Sequence, residues 1–296
     1  MKPVRHNHDA AHTIALLTDR LAVAYSLPGS FYKGARFDWT GFVTQVTLDG
    51  VRTFCAAEYE DGRASGGIGL CNEFGLLTAV GYEEAAQGEQ FPKLGVGLLT
   101  RKDDEPYRFG ENYEIDPFPV KVMRTERAVE VMTEPLPCNG FEVRLTKHIA
   151  VSGTEIVLTY KLENTGTKRI VTEEYAHNFM RIGDTPVGPD YELRTPVRGG
   201  LSVAAGELIE AEAGIVRWPA AVEGTFYAAA DEKSEGAYWR LSRSTDGASV
   251  SERLEQAEMT RFALWGQRHV VSPEIFVKVD VMPGETRSWL RRYSFD

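Results

Sequence analysis

The segment from Glu173 to Pro189, E-E-Y-A-H-N-F-M-R-I-G-D-T-P-V-G-P, holds the residues of this sequence best suited to proton chemistry. Histidine changes charge near neutral pH, so a His set among aromatics either trades protons with a bound molecule or packs as part of a core. On strand alternation, His177 shares a face with Tyr175 and Phe179, while Asn178 points to the opposite face. The other histidines lack such company. His148 follows Lys147 on an alternating run, His269 follows Arg268 in a basic turn, and neither has a metal-ligand partner at useful spacing. His6 and His8 lie in a polar stretch, and residues 1–10 read as a flexible tail. Cys55, Cys71 and Cys138 are widely spaced with no C-x-x-C pair, a pattern of buried thiols in a reducing compartment. Walker A, H-E-x-x-H and G-x-S-x-G signatures are missing, and G-G-I-G-L at Gly66 has no strand–helix unit around it. The sequence therefore implies no metal and no cofactor.

The elements that must position His177 are strands. Hydrophobic period is two almost throughout: Phe141 to Val151, Thr154 to Leu162 and Arg169 to Met180 alternate, separated by Ser152-Gly153 and by Glu163-Asn164-Thr165-Gly166. Ala237 to Ser242 and Ala248 to Leu254 flank a Thr-Asp-Gly turn. Met259 to Gly266, Glu274 to Met282 and Arg287 to Phe295 follow, the last two joined at Pro283-Gly284. His12 to Arg20 suits a hairpin better than a helix. Glu58 to Gly95, rich in glycine and acidic residues, reads as the longest irregular region, the kind that carries sites on a rigid scaffold. No linker or repeat divides the chain. These features predict an all-β protein, one domain over residues 1–296, built as a large antiparallel sandwich or barrel.

Composition narrows the partners. With 296 residues, 43% of them hydrophobic, the chain can bury a large core. A formal net charge of -10 without a basic, aromatic-interleaved cluster opposes binding to nucleic acid or to anionic membranes. No apolar run approaches the roughly 18 residues of a membrane span, and no apolar segment follows a basic start. A cytoplasmic protein is the expectation.

Three segments stand in a telling order: Y-K-G-A-R-F-D-W-T-G-F-V-T-Q-V-T-L-D-G from Tyr32, then Y-K-L-E-N-T-G from Tyr160 with Y-A-H-N-F from Tyr175, then V-D-V-M-P-G-E-T-R-S-W-L-R-R-Y-S-F from Val279. Together they resemble the galactose mutarotase-like superfamily, to which the aldose 1-epimerases belong, over nearly the whole chain. The resemblance implies a large twisted antiparallel β-supersandwich with a sugar pocket on its concave face. It also implies exchange of α and β anomers: a base takes the C1 hydroxyl proton, an acid protonates the ring oxygen, and the opened sugar recloses with the roles exchanged. By the same resemblance His177 is the acid. The family's base is a glutamate on a C-terminal strand; R-F-A-L-W-G-Q at Arg261 has no carboxylate, which leaves Glu274 in S-P-E-I-F-V. Pro273 marks a strand start, so Glu274 is expected near a sheet rim, as base or as a solvated strand-end carboxylate.

Arg36, Glu73, Lys93, Asn178 and Asp190 are the candidate substrate-binding residues, each equally at home in surface or ion-pair duty. Trp39, Phe91 and Trp239 suit either stacking on a pyranose or core packing. Arg36, Lys93, Arg181 and Lys278 are the cations available if the sugar is phosphorylated. The partner implied is a small-molecule sugar. A non-catalytic sugar-binding or sensor protein on the same fold is the alternative, favoured by the missing acid near Trp265. Hydrolase or lyase action on an oligosaccharide is a third reading, and hydrolysis would need two carboxylates roughly 5–10 Å apart.

Overall fold

The computed structural model describes residues 13–63, 65–206, 210–212 and 214–296; the N-terminal polar tail with His6 and His8 lies outside the described residues. Two large sheets dominate, and every strand pairing is antiparallel. The central run of the 11-stranded sheet is Leu21–Ser26, Phe42–Leu48, Leu70–Phe74, Ile170–Asn178, Val270–Val281, Glu258–Gln267 and Phe226–Ala230. The 10-stranded sheet centres on Tyr238–Arg243, Ser249–Glu255, Thr286–Phe295, Glu155–Asn164 and Val143–Ser152. A third, 3-stranded sheet joins Gln90–Lys93, Gly97–Thr100 and Ile115–Pro117. Among the described residues there is no α-helix, and no helix long and apolar enough to cross a membrane.

Alternation builds the sandwich. Val143–Ser152 and Glu155–Asn164 bury every second residue, which gives the 10-stranded sheet one apolar face. That face meets the 11-stranded sheet through aromatic contacts: Phe74 packs edge-on against Tyr160 and Trp289 at centroid distances of 5.4 and 6.2 Å, and Phe54 against Phe295 at 5.0 Å. Residues of both sheets belong to one core cluster. From Thr13, the first described residue, the predicted hairpin is present, with Thr13–Leu17 paired to Leu21–Ser26.

Two expectations are corrected. Glu58 to Gly95 is not one irregular region: it contains Leu70–Phe74, which pairs with Ile170–Asn178 in the middle of the 11-stranded sheet. All five of its residues are buried, because one face meets the core and the other is covered by loops, so no alternation shows in L-C-N-E-F. Pro273, in turn, does not start a strand but sits inside Val270–Val281. The ladder with Ile170–Asn178 runs to Tyr175 opposite Phe276 and resumes where Met180 bridges Val271. Between them, Asn178 supplies the missing partners: its backbone N–H donates to Ser272 Oγ at 3.2 Å and its side-chain amide donates to the Pro273 carbonyl at 2.6 Å. A proline is tolerated there because its absent donor faces the opened stretch. Glu274 is consequently a mid-sheet residue, 3% exposed, and not a rim carboxylate.

Candidate functional site

Counting inward from the Tyr175–Phe276 pair or from the Met180–Val271 bridge places His177 directly opposite Glu274. Directly opposed residues project to the same side with their Cβ atoms about 5 Å apart. His177 Nδ1 lies 2.8 Å from Glu274 Oε1, at an angle that falls short of an aligned hydrogen bond. Ser272 Oγ donates to the same carboxylate oxygen at 2.9 Å, while Glu274 Oε2 has no hydrogen-bond partner among the described residues. On the other flank, Cys71 and Glu73 of Leu70–Phe74 sit opposite His177 and Tyr175. One face of three adjacent strands thus carries a His, two carboxylates and a tyrosine. The imidazole is held flat against Phe179, with centroids 5.0 Å apart at 7°, and edge-on to Phe37 at 5.3 Å.

Arg36 completes the cluster. Its Nε donates to Glu73 Oε2 at 2.9 Å, its Nη1 to Glu58 Oε1 at 3.2 Å, and its Nη2 to His177 Nε2 at 2.7 Å. A guanidinium can only donate, so Nε2 is the unprotonated acceptor and the imidazole proton sits on Nδ1, toward Glu274. The single Tyr175 hydroxyl proton goes to Glu73 Oε2 at 2.5 Å, leaving the phenol oxygen 3.0 Å from Nε2. The Phe37 and Phe109 rings each hold the guanidinium carbon at 4.6 Å from their centroids.

Arg36 is placed by its neighbour Asp38, which is fully buried. The Asp38 N–H donates to Asn72 O at 2.9 Å, and its carboxylate meets Tyr160 and, at 3.5 Å, Lys147, both on the 10-stranded sheet. Gly95, at φ 76°, leaves room for that carboxylate; a Cβ there would come within 2.3 Å of Asp38 Oδ1.

An open cleft of about 830 Å³ lies above the cluster, lined by Arg36, Phe37, Glu58, Tyr59, Phe109 and Asn112 among others. His177, Glu73 and Glu274 are not in its lining. Arg36 and Glu58 therefore stand between the cleft and the His177–Glu274 pair.

Lys93 approaches Glu73 from the 3-stranded sheet, 3.6 Å away, and donates to Gly75 O at 2.8 Å and to Tyr107 Oη at 2.9 Å. Burial brings its pKa down to about 8 from 10.5, against the pull of Glu73. Burial pushes the Tyr175 hydroxyl well above its usual 10, with the Glu73 charge adding to it. Arg36 is held well above the usual arginine value of 12.5, because Glu73, Tyr175 and Glu58 outweigh the cost of burial.

Five of the residues singled out from the sequence thus converge: His177, Glu274, Arg36, Glu73 and Lys93. Two do not. Asn178 projects to the opposite face, into the space between the sheets, where it bonds Glu252 and Tyr293. Asp190 is exposed in the loop before Tyr191–Arg194, its carbonyl accepting from Ser244. Trp239 is fully buried against Glu252, Phe91 packs with Tyr82 and Tyr107, and Trp39 is tied to Gly34 O, so none of the three lines the cleft. Sequence reading passed over Glu58, whose acidic surroundings look like a surface turn, and Tyr175, whose shared face with His177 was the signal that marked it.

No protein-family model matches the sequence, and no curated protein does. Solved structures do match it in fold. The Slr1438 protein of Synechocystis superposes with a TM-score of 0.64 at 12% identity, over 100% of this chain and 99% of that one. A galactose mutarotase-like protein from Clostridium acetobutylicum gives 0.61 at 10% identity, over 96% and 95% of the two chains. The galactose 1-epimerase of Lactobacillus acidophilus gives 0.53 at 10%, over 96% and 94%.

Proposed function

On the galactose mutarotase-like fold that this chain has, we propose that it is one sugar-binding domain that interconverts the α and β anomers of an aldose, with His177 and Glu274 as the acid–base pair. The observation that carries this reading is the mid-sheet opposition of the two residues, 2.8 Å apart under an open cleft. Anomer exchange needs two groups that swap protons near neutrality, and a histidine touching a carboxylate is such a pair. In the free protein Arg36 occupies Nε2. A sugar entering from the cleft draws the guanidinium onto its hydroxyls, and the freed Nε2 takes a proton. The Glu274 charge beside Nδ1 stabilises the imidazolium. Nε2–H then protonates the ring oxygen, while the unpartnered Glu274 Oε2 receives the C1 hydroxyl proton. Reclosure returns both. The acidic chain without a basic patch supports a small sugar as the ligand, with no nucleic acid and no membrane as partner, and three free cysteines support the cytoplasm as its compartment.

Saturation-transfer NMR on a panel of free and phosphorylated aldoses tests the proposal. Wild type should exceed the spontaneous exchange rate for at least one sugar, and His177→Ala and Glu274→Gln should each lower the catalysed rate by about 10²–10⁴-fold with an unchanged far-ultraviolet spectrum. Full activity in both variants removes the assignment. One feature favours a second reading, a sugar-binding protein without catalysis: Arg36 blocks the nitrogen that must carry the acidic proton. Line broadening of a sugar with no acceleration of its exchange would decide for that reading.

A further inference from the structure

Two strand steps past His177 on the same face stands Arg181, beyond Phe179, where the sheet opens into a second cavity of about 430 Å³. Its lining includes Arg181, His269, Gln45, Cys55, Tyr59 and Glu60, with Tyr59 as the wall shared with the first cleft. We propose that this cavity binds a small oxyanion, a phosphate or a phosphate monoester, between Arg181 and His269.

Three features of the lining argue for that chemistry. Arg181 Nε is buried and has no hydrogen-bond partner among the described residues, and such an orphaned donor is costly unless something accepts from it. The rest of the guanidinium is weakly engaged: Nη2 reaches Asp184 at 3.3 Å, and that carboxylate is fully solvent-exposed, so the pair contributes little. His269 is 9% exposed, and its Nε2 lies 3.1 and 3.2 Å from the carbonyl oxygens of Ala57 and Glu58. Carbonyls only accept, so Nε2 carries the proton. Nδ1 has no partner among the described residues; once protonated it is a second donor. Gln45 turns its oxygen to the Val46, Phe54 and Cys55 N–H groups and one amide N–H to the Cys55 carbonyl, so it presents no acceptor to repel an anion.

An arginine with a free Nε edge matches a tetrahedral oxyanion in a way that a lysine does not. The acidic groups nearby fix the selectivity. Glu58 turns its carboxylate away, to Arg36 and to the Gly67 N–H. Glu60, exposed at the cavity, opposes a second negative charge.

The site is testable without reference to anomer exchange. The backbone amide resonances of the cavity-lining residues and, in wild type, the Arg181 Nε–H resonance are followed by ¹⁵N NMR during titration with inorganic phosphate and, separately, glycerol phosphate. We expect a saturable shift with a dissociation constant in the millimolar range, weakened about tenfold in Arg181→Gln, the loss of one charge-assisted contact. His269→Gln should weaken it several-fold and Glu60→Gln should tighten it, while Arg36→Ala should leave it unchanged. Equal affinity for the two probes identifies a free anion as sufficient; tighter glycerol phosphate identifies an ester. A linear, non-saturating shift, or phosphate binding that survives Arg181→Gln but vanishes in Arg36→Ala, overturns the proposal.

Discussion

The strand Ile170–Asn178 carries a buried polar network on each of its faces, and the two are built to different standards. Toward the 10-stranded sheet, Arg291 bridges Glu174 and Glu252, all three fully buried. Both carboxylates are filled: Glu174 accepts from Asn72, Trp289 and Arg291, and Glu252 from Arg291, Trp239 and Asn178. Toward the cleft, Glu73 Oε1 and His177 Nδ1 lack aligned partners, and Nε2 is approached by both Arg36 and Tyr175. The interior network, in which Asn72 Oδ1 has no partner among the described residues but both carboxylates are met by donors, fixes how the sheets pack, whereas the one beside the cleft leaves titratable groups without aligned partners. Alternation along a single strand separates the two roles by the thickness of one sheet.

The largest effect is expected where the interior network is cut. Arg291→Ala leaves two buried carboxylates without their cation, and breaking such a pair costs about 3–5 kcal/mol. Denaturant unfolding should show that loss, or yield no folded protein. His177→Ala, on the cleft side, leaves no buried charge without its counter-ion and should shift the same unfolding curve by clearly less, near the ordinary cost of about 1 kcal/mol for a point substitution. A comparable loss of stability in both variants would erase the distinction between the faces.

How much of this was legible in the sequence follows from the same geometry. Strands with one wet face, such as Glu155–Asn164, announced themselves by alternation. Leu70–Phe74 did not, because both of its faces are covered, and its neighbours read as loop. His177 was legible from its aromatic flanks, and the opposite orientation of Asn178 was implied by the odd–even rule that placed His177. Glu274 was found as the nearest remaining carboxylate, but its position opposite His177 depends on a register that Pro273 disguises. Lys93 and Arg36 come from separate loops and strands that meet only in three dimensions. Asp190 drew notice from a Gly-Pro turn, a local signal that carries no information about which cavity a loop borders.

Lys93 gives a smaller and pH-dependent contrast. Folded, it releases its proton at about 8; unfolded, it holds it to about 10.5. Between those values the unfolded chain binds more protons, so this group makes stability rise with pH; below about 8 both states are charged and the burial cost is constant. At about 1.4 kcal/mol per pH unit the gain is at most about 3.5 kcal/mol. Unfolding of wild type and Lys93→Met, compared from about pH 7 to about pH 10, should show wild type gaining on the variant above pH 8. A constant difference would mean that Glu73 keeps Lys93 charged throughout, and that the cleft-side network is as tightly paired as the one behind it.

The finest test removes one hydroxyl from each face. Tyr293 donates to Asn178 Oδ1 at 3.0 Å, and among the described residues no other donor reaches that buried oxygen. Tyr293→Phe orphans it, at a cost of about 1–3 kcal/mol, and should leave anomer exchange untouched. Tyr175→Phe deprives Glu73 Oε2 of one donor but leaves it Arg36, so its stability cost should fall near the ordinary 0.5–1.5 kcal/mol, or about half as much. Its effect on exchange should be the larger one, several-fold in rate with a displaced pH profile, because the phenol oxygen stands 3.0 Å from His177 Nε2, the nitrogen that carries the proton in the proposed mechanism. The two variants thus cross: the one that matters more for folding matters less for chemistry. If Tyr293→Phe were the variant that slowed exchange, the interior network would be holding the His177 strand in its reactive register, and the two faces would be one machine.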